Sequence, residues 1–254
     1  MGLKQTYCGS ETLAEIWGDF IDWEKRLKGP DVDFLINQLR IKLQETILDS
    51  SLGDGIDSVH LLQQGFRVAS NEIDPDFIQK ALENAEKHGV TLDISQHNWL
   101  EIDQHFLPNS FGGIICLGNS ITYLFTKEEQ LKALQNFQNL LSRGGRLIID
   151  ERNYQYLLDD REEILKGNFR YSRDYVYHGQ KVHASPVSIT DNEVIMEYKQ
   201  IGTGKKGYLR LYPFKKGELL DLLRQVDFSE IRQFSDYEPG YNSQSDFHQY
   251  VCIK

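Results

Sequence analysis

The sequence predicts an open, Rossmann-like α/β sheet of seven strands. The first observation is the stretch from Thr46 to Glu72, in which an apolar run, a Gly-x-Gly turn, a helical pattern and a second strand-like run follow one another. That order is typical of the opening unit of an open α/β sheet. The second observation is that polar side chains follow the C-terminal ends of four predicted strands: Asp49, Glu72, Asn119 and Arg152. Ligands bind at that edge of such a sheet.

The glycine turn formed by Gly53 and Gly55 indicates which ligand this edge binds. Glycines let the backbone approach a ligand closely, and Glu72 at the tip of the next strand can accept hydrogen bonds from two ribose hydroxyls. A dinucleotide fingerprint requires a third glycine where this chain has Ser58, and a phosphate-binding P-loop requires a lysine after the turn. A cofactor with a ribose and without phosphates fits, and S-adenosyl-L-methionine is such a cofactor. The alternative is a glycine turn that only connects strand and helix.

Composition and charge narrow the classes of partner. The 254 residues include 38 acidic and 28 basic side chains, giving a net charge of −10, so we expect neither nucleic acid nor a membrane as a partner. The three cysteines are widely spaced and the histidines lack ligand spacing, which predicts neither a disulfide framework nor a metal site. No apolar stretch approaches membrane-spanning length, so we expect a cytoplasmic protein. No linker interrupts residues 1–254, and we expect a single domain.

Residues 1–29 combine aromatic and charged side chains. This pattern indicates either a helix packed on the core or a lid whose aromatic face closes over a ligand, and the pattern alone favours the core helix. Gly29 and Pro30 end the segment. Residues 32–43 are then predicted to form a helix that leads into the first strand.

The elements after Glu72 alternate between helix and strand. Asp74 as N-cap, Pro75 at the first helical position and a terminal Gly89 predict a helix. Thr126 with Glu129 three residues later predicts a capping box at the start of another helix, which ends near Leu141. The strands predicted between and after these helices are residues 92–96, 113–117 and 146–150. The run 113–117 is apolar throughout, as in a strand buried on both faces.

Residues 165–215 are predicted to form an insertion over the ligand edge. From about Phe169 to Pro213, short runs rich in tyrosine and β-branched residues alternate with turn residues, which predicts an antiparallel meander. The α/β pattern then returns with a helix over 216–225 and two last strands over 228–234 and 249–253.

Several motifs occur in an order that resembles a known family. They are Trp17 with Arg26, the LDSSLGDGIDS turn, Asn98-Trp99, the ICLGNS run from Ile115 to Ser120, the DERNY run from Asp150 to Tyr154, and a late LYP from Leu211 to Pro213. Together they resemble the glycine N-methyltransferases and the glycine/sarcosine N-methyltransferases, which are class I S-adenosyl-L-methionine-dependent enzymes. The resemblance covers nearly the whole chain, and the ICLGNS and Arg-Asn-Tyr elements are more specific than the glycine turn.

The resemblance implies a role for each of these positions. The implied cofactor-binding residues are Tyr7, Trp17 and Arg26 in a lid, Asp49, Ser51 and Gly53 at the methionine end, Glu72 at the ribose, Asn98 and Trp99 at the adenine, and Leu117 near the sulfonium. The implied acceptor site consists of Asn119 and Arg152, with aromatic walls from Tyr171, Tyr198 and also Tyr212. Because the resemblance implies a lid, residues 1–29 are now expected to form a lid and not a helix packed on the core.

Each of these residues also has an alternative interpretation in which it has only a structural role. On that interpretation, Arg152 is a solvated charge or a partner of the adjacent Glu151, and Asn119 forms the turn after Gly118. Trp99 is a core residue. Tyr171 and Tyr198 are strand-forming residues.

Three departures from the family pattern bear on the substrate. The turn reads Ser-Leu-Gly-Asp-Gly over 51–55 where the family usually has Ala-Cys-Gly-Thr-Gly, and Glu72 replaces the common ribose-binding aspartate. Phe20 stands where the family often has a tyrosine, so a hydroxyl near the acceptor is lost.

The first functional hypothesis is therefore an N-methyltransferase of a small carboxylated amine such as glycine, sarcosine or dimethylglycine. The second is methylation of another small amine or a guanidino compound, which Phe20 and the altered turn favour. The third is a cofactor-binding protein without catalysis. Arg152 and Asn119 together weigh against the third, because a sensor needs only the cofactor half of the site.

Overall fold

The computed structural model describes residues 7–8 and 13–254. Its helices are α1 (Leu13–Phe20), α2 (Trp23–Arg26), α3 (Pro30–Leu39), α4 (Ile56–Gln63), α5 (Pro75–Lys87), α6 (Lys127–Leu140), α7 (Tyr154–Asp159), α8 (Arg161–Glu163) and α9 (Glu218–Gln225). Its strands are β1 (Tyr7–Cys8), β2 (Thr46–Asp49), β3 (Arg67–Asn71), β4 (Ile94–Ser95), β5 (Phe111–Cys116), β6 (Leu141–Arg152), β7 (Val182–Ile189), β8 (Val194–Gln200), β9 (Lys206–Leu211), β10 (Glu230–Ser235), β11 (Glu238–Pro239) and β12 (Phe247–Ile253).

The main sheet has the strand order β11-β10-β12-β6-β5-β2-β3-β4. Strands β4, β3, β2, β5 and β6 pair in parallel, whereas β12 runs antiparallel to both β6 and β10. The predicted seven-stranded α/β sheet is thus confirmed, with the two-residue β11 added at one edge. A second, antiparallel sheet has the order β1-β9-β8-β7 and confirms that the region near 165–215 contains a meander.

Alternate residues of the central strands supply two separate cores. In β2 and β5, Leu48 and Ile114 face a layer formed by α6 and α9, whereas Ile47 and Ile115 face α3 and α4. All four side chains are fully buried. Burial of each such side chain stabilises the fold by about 1.5–3 kcal/mol, and the alternation fixes which face of the sheet each helix covers.

The termini of the predicted helices are mostly confirmed. Asp74 caps α5 by accepting hydrogen bonds from the backbone of residues 76 and 77, and Thr126 with Glu129 forms the predicted capping box of α6. Helix α3 ends at Leu39 and not near residue 43, because Arg40 adopts a left-handed conformation (φ 48°) that stops the helix. Residues 143–145, which separate the predicted helix from the predicted strand over 146–150, lie inside β6, where the pairing with β5 shifts register between Phe111 and Gly113.

One predicted strand of the meander is wrong. The tyrosine-rich run over residues 171–179 forms a loop, because part of its backbone bonds to Phe20 and Asp22, and only its last residues bond to Val182 at the start of β7. The amide of Tyr177 donates to the carbonyl of Phe20 at 2.9 Å, and the carbonyl of Tyr175 accepts from the amide of Asp22 at 2.7 Å. The loop therefore ties the N-terminal helices to the antiparallel sheet.

A buried carboxyl in β6 makes stability depend on pH. Glu151 accepts a hydrogen bond from the Tyr250 hydroxyl at 2.8 Å through Oε1, and Oε2 has no partner among the described residues. Burial raises its pKa to about 8, with a further rise from the nearby Glu218. The folded carboxyl therefore keeps a proton that the unfolded chain loses above its ordinary pKa near 4.5. The free energy of unfolding should fall as pH rises from about 4.5 to about 8.

We expect Glu151→Gln to flatten this dependence. The amide oxygen still accepts from Tyr250, and the side chain no longer titrates. Urea unfolding at pH 5 and pH 8 should show that the wild type loses on the order of 2 kcal/mol more than the variant across this interval. Equal losses in the two proteins would show that Glu151 is ionised in the folded state.

Candidate active site

A cavity lies at the C-terminal ends of β2, β3, β5 and β6, where the sequence places its polar residues. Residues of α1, the 170–176 loop and strands β8 and β9 line the opposite side. The cavity is thus enclosed between the parallel sheet, the N-terminal helices and the antiparallel sheet. This is the edge at which open α/β sheets bind ligands.

The glycine turn after β2 lies against the cavity. Gly53 and Gly55 have φ values of 55° and 93°, which other residues adopt only with strain. A Cβ on Gly55 would also lie 3.1 Å from the Cβ of Ala81. The turn therefore requires glycine at both positions, and Ser51 and Gly53 line the cavity as expected.

Asp49 lies behind this turn and is not among the described residues that line the cavity. Its Oδ2 accepts from the Ser58 hydroxyl at 2.7 Å and its Oδ1 from the Ser51 amide at 3.3 Å. Burial raises its pKa to about 7. The assignment of Asp49 to the methionine end, which the resemblance implies, stays a prediction. In this structure the Asp49 carboxylate supports the glycine turn through Ser58 and Ser51.

Glu72 lines the cavity at the tip of β3, and its carboxylate is oriented by backbone amides. Its Oε2 accepts from Gly53 at 2.9 Å, and its Oε1 accepts from Ile73 at 2.9 Å and Asp74 at 3.0 Å. Burial raises its pKa, while the three amides lower it. A carboxylate has about four acceptor positions, so Oε2 keeps one for a ligand hydroxyl.

The loop after β4 contributes His97 and Trp99 to the cavity, and Asn98 is not among the described lining residues. The indole of Trp99 donates to the carbonyl of Ser50 at 2.7 Å, so the ring is both buried and fixed against the glycine turn. The side-chain oxygen of Asn98 accepts from the amide of Leu100 at 3.0 Å. The contact of Asn98 with the adenine, which the resemblance implies, stays a prediction; in this structure its side-chain oxygen closes the local turn.

Leu117 lines the cavity at the end of β5 and is joined to the glycine turn through Ser51. The Ser51 hydroxyl donates to the carbonyl of Leu117 and accepts from its amide, both at 3.2 Å. The two strand ends are therefore fixed relative to each other.

Two of the three residues expected in a lid line the cavity. Trp17 contacts the rings of Phe20 and Tyr198 at centroid distances of 5.4 and 5.5 Å. Arg26 forms ion pairs with Asp57 at 3.2 Å and with Asp31. The side chain of Tyr7 lies outside the described residues. Leu13, Ile16 and Phe20 of α1 are buried, so the helix is also part of a hydrophobic core.

Asn119 is held by hydrogen bonds on every side. It has a left-handed conformation (φ 65°), and its side-chain oxygen accepts from the Arg152 amide at 2.9 Å while its side-chain nitrogen donates to the Tyr154 hydroxyl at 2.6 Å. Its own amide donates to Asp150 at 2.6 Å. Asn119 lines the cavity, and these bonds lock the end of β5 to the end of β6.

Arg152 presents a buried guanidinium to the cavity. The residue is 9% exposed, and no carboxylate pairs with it among the described residues. Three aromatic rings contact the guanidinium, those of Tyr171 and Phe247 at 4.7 Å and that of Phe169 at 5.7 Å from its carbon to the ring centroid. The alternative that Arg152 pairs with Glu151 does not hold, because Glu151 bonds to Tyr250 on the other side of the strand. A buried cation of this kind fits an anionic ligand.

The expected aromatic walls are present for two of three tyrosines. Tyr171 and Tyr198 line the cavity with their hydroxyls 3.5 Å apart, and Phe20 contacts both rings at 5.4 and 5.1 Å. Tyr212 is not among the described lining residues, because its hydroxyl donates to Glu218 at 2.6 Å on another side of the fold.

Sequence reasoning missed several lining residues. Arg173 pairs with Asp236 at 2.9 Å and shares the ring of Phe247 with Arg152. Asp150, His97 and Tyr237 also line the cavity. The sequence could have indicated Asp150 as a lining residue, because it stands at a strand end beside Arg152. It could not have indicated Phe247, which reaches the site only through the pairing of β12 with β6.

A metal-binding cluster and a membrane-spanning helix were both searched for in the described part of the chain. Among residues 7–8 and 13–254 there is no group of three or more side chains placed to hold a metal ion. Over the same residues, no helix has both the length and the apolar composition needed to cross a membrane.

The cavity fits S-adenosyl-L-methionine. Glu72 keeps an acceptor for a ribose hydroxyl, the glycine turn allows close backbone approach, and Trp99 supplies an apolar wall. Among the described residues, Arg26, Arg152 and Arg173 line it, and no lysine follows the turn to hold phosphates.

Comparisons with known proteins agree with this geometry. A family model described as a methyltransferase domain matches residues 47–145. The chain is 33% identical to a glycine/sarcosine N-methyltransferase of Halorhodospira halochloris, over 95% of this chain and 87% of that protein. It is 34% identical to a glycine/sarcosine/dimethylglycine N-methyltransferase of Actinopolyspora halophila, over 95% of this chain but only 41% of that longer protein.

A solved structure agrees in fold. An S-adenosylmethionine-dependent methyltransferase from Clostridium acetobutylicum superimposes with a TM-score of 0.67 over 92% of each chain, at 16% identity. The sequence relatives and the shared fold together confirm the resemblance inferred from the motifs. The chain belongs to the glycine/sarcosine N-methyltransferase family of S-adenosyl-L-methionine-dependent methyltransferases.

Proposed function

We propose that this enzyme methylates the nitrogen of a small carboxylated amine of the glycine, sarcosine or dimethylglycine type. The observation that carries the proposal is the guanidinium of Arg152, which is buried, faces the cavity and pairs with no carboxylate among the described residues. Leaving such a cation unpaired is costly, and a substrate carboxylate would remove that cost through a bidentate pair. The relatives' names agree with this acceptor class.

The rings around Arg152 set where the amine of the acceptor lies. Tyr171 contacts both the guanidinium and Phe20, and Phe20 in turn contacts Tyr198. An amine one carbon away from the bound carboxylate would therefore lie against this aromatic wall. The ring faces stabilise positive charge that develops on the nitrogen as it is methylated.

Asn119 acts in this proposal as a positioning residue. Its side-chain oxygen already accepts from the Arg152 amide, and its side-chain nitrogen donates to the Tyr154 hydroxyl. The side chain therefore fixes the backbone that carries Arg152. The resemblance places Asn119 in the acceptor site, and in this proposal it acts there through Arg152.

The residues of the cavity supply orientation and exclusion of water. Bound S-adenosyl-L-methionine supplies an activated methyl group on a sulfonium. Glu72, Ser51, Gly53, Leu117 and Trp99 would hold the cofactor, and Arg152 would hold the acceptor. Orientation of two reactants can contribute roughly 7–11 kcal/mol. The acceptor arrives with a free lone pair, so no histidine is needed as a base.

Residues 1–29 and 165–215 would cover the site as a lid and an insertion. Trp17 and Arg26 line the cavity from the first segment, and Tyr171 and Tyr198 line it from the second. Backbone bonds between residues 20–22 and 175–177 join the two segments. Closure by such a lid excludes water from the reacting groups.

The test is turnover with a panel of small amines, followed by mass measurement of the product. We expect release of S-adenosyl-L-homocysteine with at least one of glycine, sarcosine and dimethylglycine, together with a product that is one methyl group heavier. Turnover confined to amines or guanidino compounds without a carboxylate would contradict the proposal. It would favour the alternative that the loss of a hydroxyl at Phe20 suggests.

A further inference from the structure

Four aromatic rings of the cavity lining form one connected cluster beside Arg152. Phe20 lies at the centre, and its ring centroid is 5.4 Å from those of Trp17 and Tyr171 and 5.1 Å from that of Tyr198. Trp17 also contacts Tyr198 at 5.5 Å. The planes of these pairs are inclined by 54° to 82°, so the rings present their faces in different directions. We call this group the aromatic cluster.

The aromatic cluster carries few polar atoms. Phe20 has none in its side chain, and the indole nitrogen of Trp17 is a donor only. The hydroxyls of Tyr171 and Tyr198 lie 3.5 Å apart and bond to each other. An amine N–H in contact with the cluster therefore finds two hydroxyls as acceptors, and these are already engaged. An N-methyl group in the same place meets aromatic carbon.

The carboxylates that line the cavity lie on the side of the parallel sheet. Among the described residues they are Asp54 in the glycine turn, Asp57 in α4, Glu72 after β3 and Asp150 in β6. The aromatic cluster belongs to α1, to the loop over 171–179 and to β8, which line the opposite side. Positive charge on a nitrogen against the cluster is therefore stabilised by the faces of the rings.

The three acceptors of the proposed function differ in the number of N–H groups on the reacting nitrogen. The neutral amine of glycine has two, that of sarcosine has one, and that of dimethylglycine has none. Each replacement of hydrogen by methyl removes a donor and adds apolar surface against the rings. One methyl group in an apolar pocket changes the preference of an enzyme by about 10- to 200-fold. Clusters of aromatic rings are also the sites at which proteins bind quaternary ammonium groups.

We propose that the aromatic cluster binds the substituted nitrogen, and that Phe20 makes the site select acceptors whose nitrogen already carries methyl groups. Sarcosine and dimethylglycine are then the preferred acceptors, and glycine is the poorest of the three. The inference rests on the proposed function, because it requires that Arg152 holds the acceptor carboxylate beside the cluster. It makes Phe20 a specificity-determining residue, since a hydroxyl at the centre of the cluster would supply an acceptor for N–H.

The first test measures binding without turnover. Trimethylglycine has a carboxylate and a quaternary ammonium group, and 3,3-dimethylbutanoate has the same shape and the same carboxylate without the positive charge. Calorimetric titration of the wild type saturated with S-adenosyl-L-homocysteine should give a dissociation constant at least about 10-fold lower for trimethylglycine, because ring faces attract a cation and not a neutral group. Equal constants, or tighter binding of 3,3-dimethylbutanoate, would contradict the inference.

The second test measures kcat/KM for glycine, sarcosine and dimethylglycine. Both methylated acceptors should exceed glycine by at least about 10-fold in the wild type. Phe20→Tyr adds a hydroxyl to the cluster and should lower the ratio of sarcosine to glycine by at least about 5-fold. Phe125→Tyr is the matched control, because Phe125 is a partly buried phenylalanine outside the described cavity lining. Its ratio should equal that of the wild type.

The ratio between acceptors separates specificity from structural damage, because a loosened site lowers all three values together. Glycine as the best acceptor of the wild type would overturn the inference, whether or not the variants fold. An unchanged ratio in a folded Phe20→Tyr protein would also overturn it. Both results leave the proposed function intact, since all three acceptors carry a carboxylate. If the wild type methylates none of the three, the proposed function itself fails, which is a separate result.

Discussion

Arg152→Ala should lower kcat/KM toward the carboxylated acceptor by about 100- to 1000-fold. The estimate follows from two hydrogen bonds between charged groups, each contributing about 1.5–3 kcal/mol, which do not add fully. Arg152→Lys keeps the charge but loses the planar fork and should still lose at least about 10-fold, or about 1.4 kcal/mol. Steady-state kinetics with the acceptor varied measures both effects.

The Arg152 variants should lose catalytic efficiency toward the acceptor without losing affinity for the cofactor. Calorimetric titration of S-adenosyl-L-homocysteine should give nearly the same dissociation constant in both Arg152 variants as in the wild type. Arg224→Ala is the matched control, since Arg224 is an exposed arginine of α9 that pairs only with Asp221 among its described ion pairs. If Arg152→Ala instead abolishes cofactor binding in a folded protein, Arg152 belongs to the cofactor site.

Glu72→Gln should weaken cofactor binding by about 1.5–3 kcal/mol, or roughly 10- to 150-fold in the dissociation constant. The carboxylate oxygens accept from amides on both sides, so an amide nitrogen at either position places a donor against a donor. The same substitution removes negative charge and, in one orientation, the acceptor left for a ribose hydroxyl. Isothermal titration with S-adenosyl-L-homocysteine measures the effect.

Asp74→Asn is the matched control for Glu72. It removes a neighbouring negative charge, and asparagine is as good an N-cap for α5 as aspartate. Its dissociation constant should stay within about 3-fold of the wild type, as expected for a residue outside the cavity lining. An unchanged constant in a folded Glu72→Gln protein would remove Glu72 from the ribose site.

Local patterns in the sequence were sufficient to predict the sheet and its ligand edge. The strand, glycine turn, helix and strand of Thr46 to Glu72 are determined by residues close together in the chain, and so are the caps at Asp74 and Thr126. The parallel order then brings Glu72, Asn119 and Arg152 to one edge. Their common location follows from topology alone.

Two of the implied cofactor contacts depend on which way a side chain points. Asp49 stands at a strand end, as expected, but Ser58 and Ser51 draw its oxygens away from the cavity. Asn98 turns back to the amide of Leu100, which leaves His97 and Trp99 in the lining. Motif spacing gives the position of a residue on the backbone, and hydrogen-bond partners decide its direction.

The surroundings of Arg152 could not be inferred from neighbouring sequence. Phe247 lies 95 positions later and becomes its neighbour only because β12 pairs antiparallel with β6. Phe169 precedes a loop for which the tyrosine-rich pattern predicted a strand. Long-range pairing therefore creates the aromatic setting in which the guanidinium remains without a carboxylate.

The central claim is that a buried guanidinium selects acceptors by their carboxylate. It is tested most directly by the wild-type enzyme with sarcosine and with N-methylethanolamine, two secondary amines of similar size of which only the first carries a carboxylate. Measured as kcat/KM for release of S-adenosyl-L-homocysteine, sarcosine should be preferred by at least about 100-fold, because the second acceptor leaves Arg152 buried and unpaired. Equal values for the two acceptors, or a preference for N-methylethanolamine, would contradict the account.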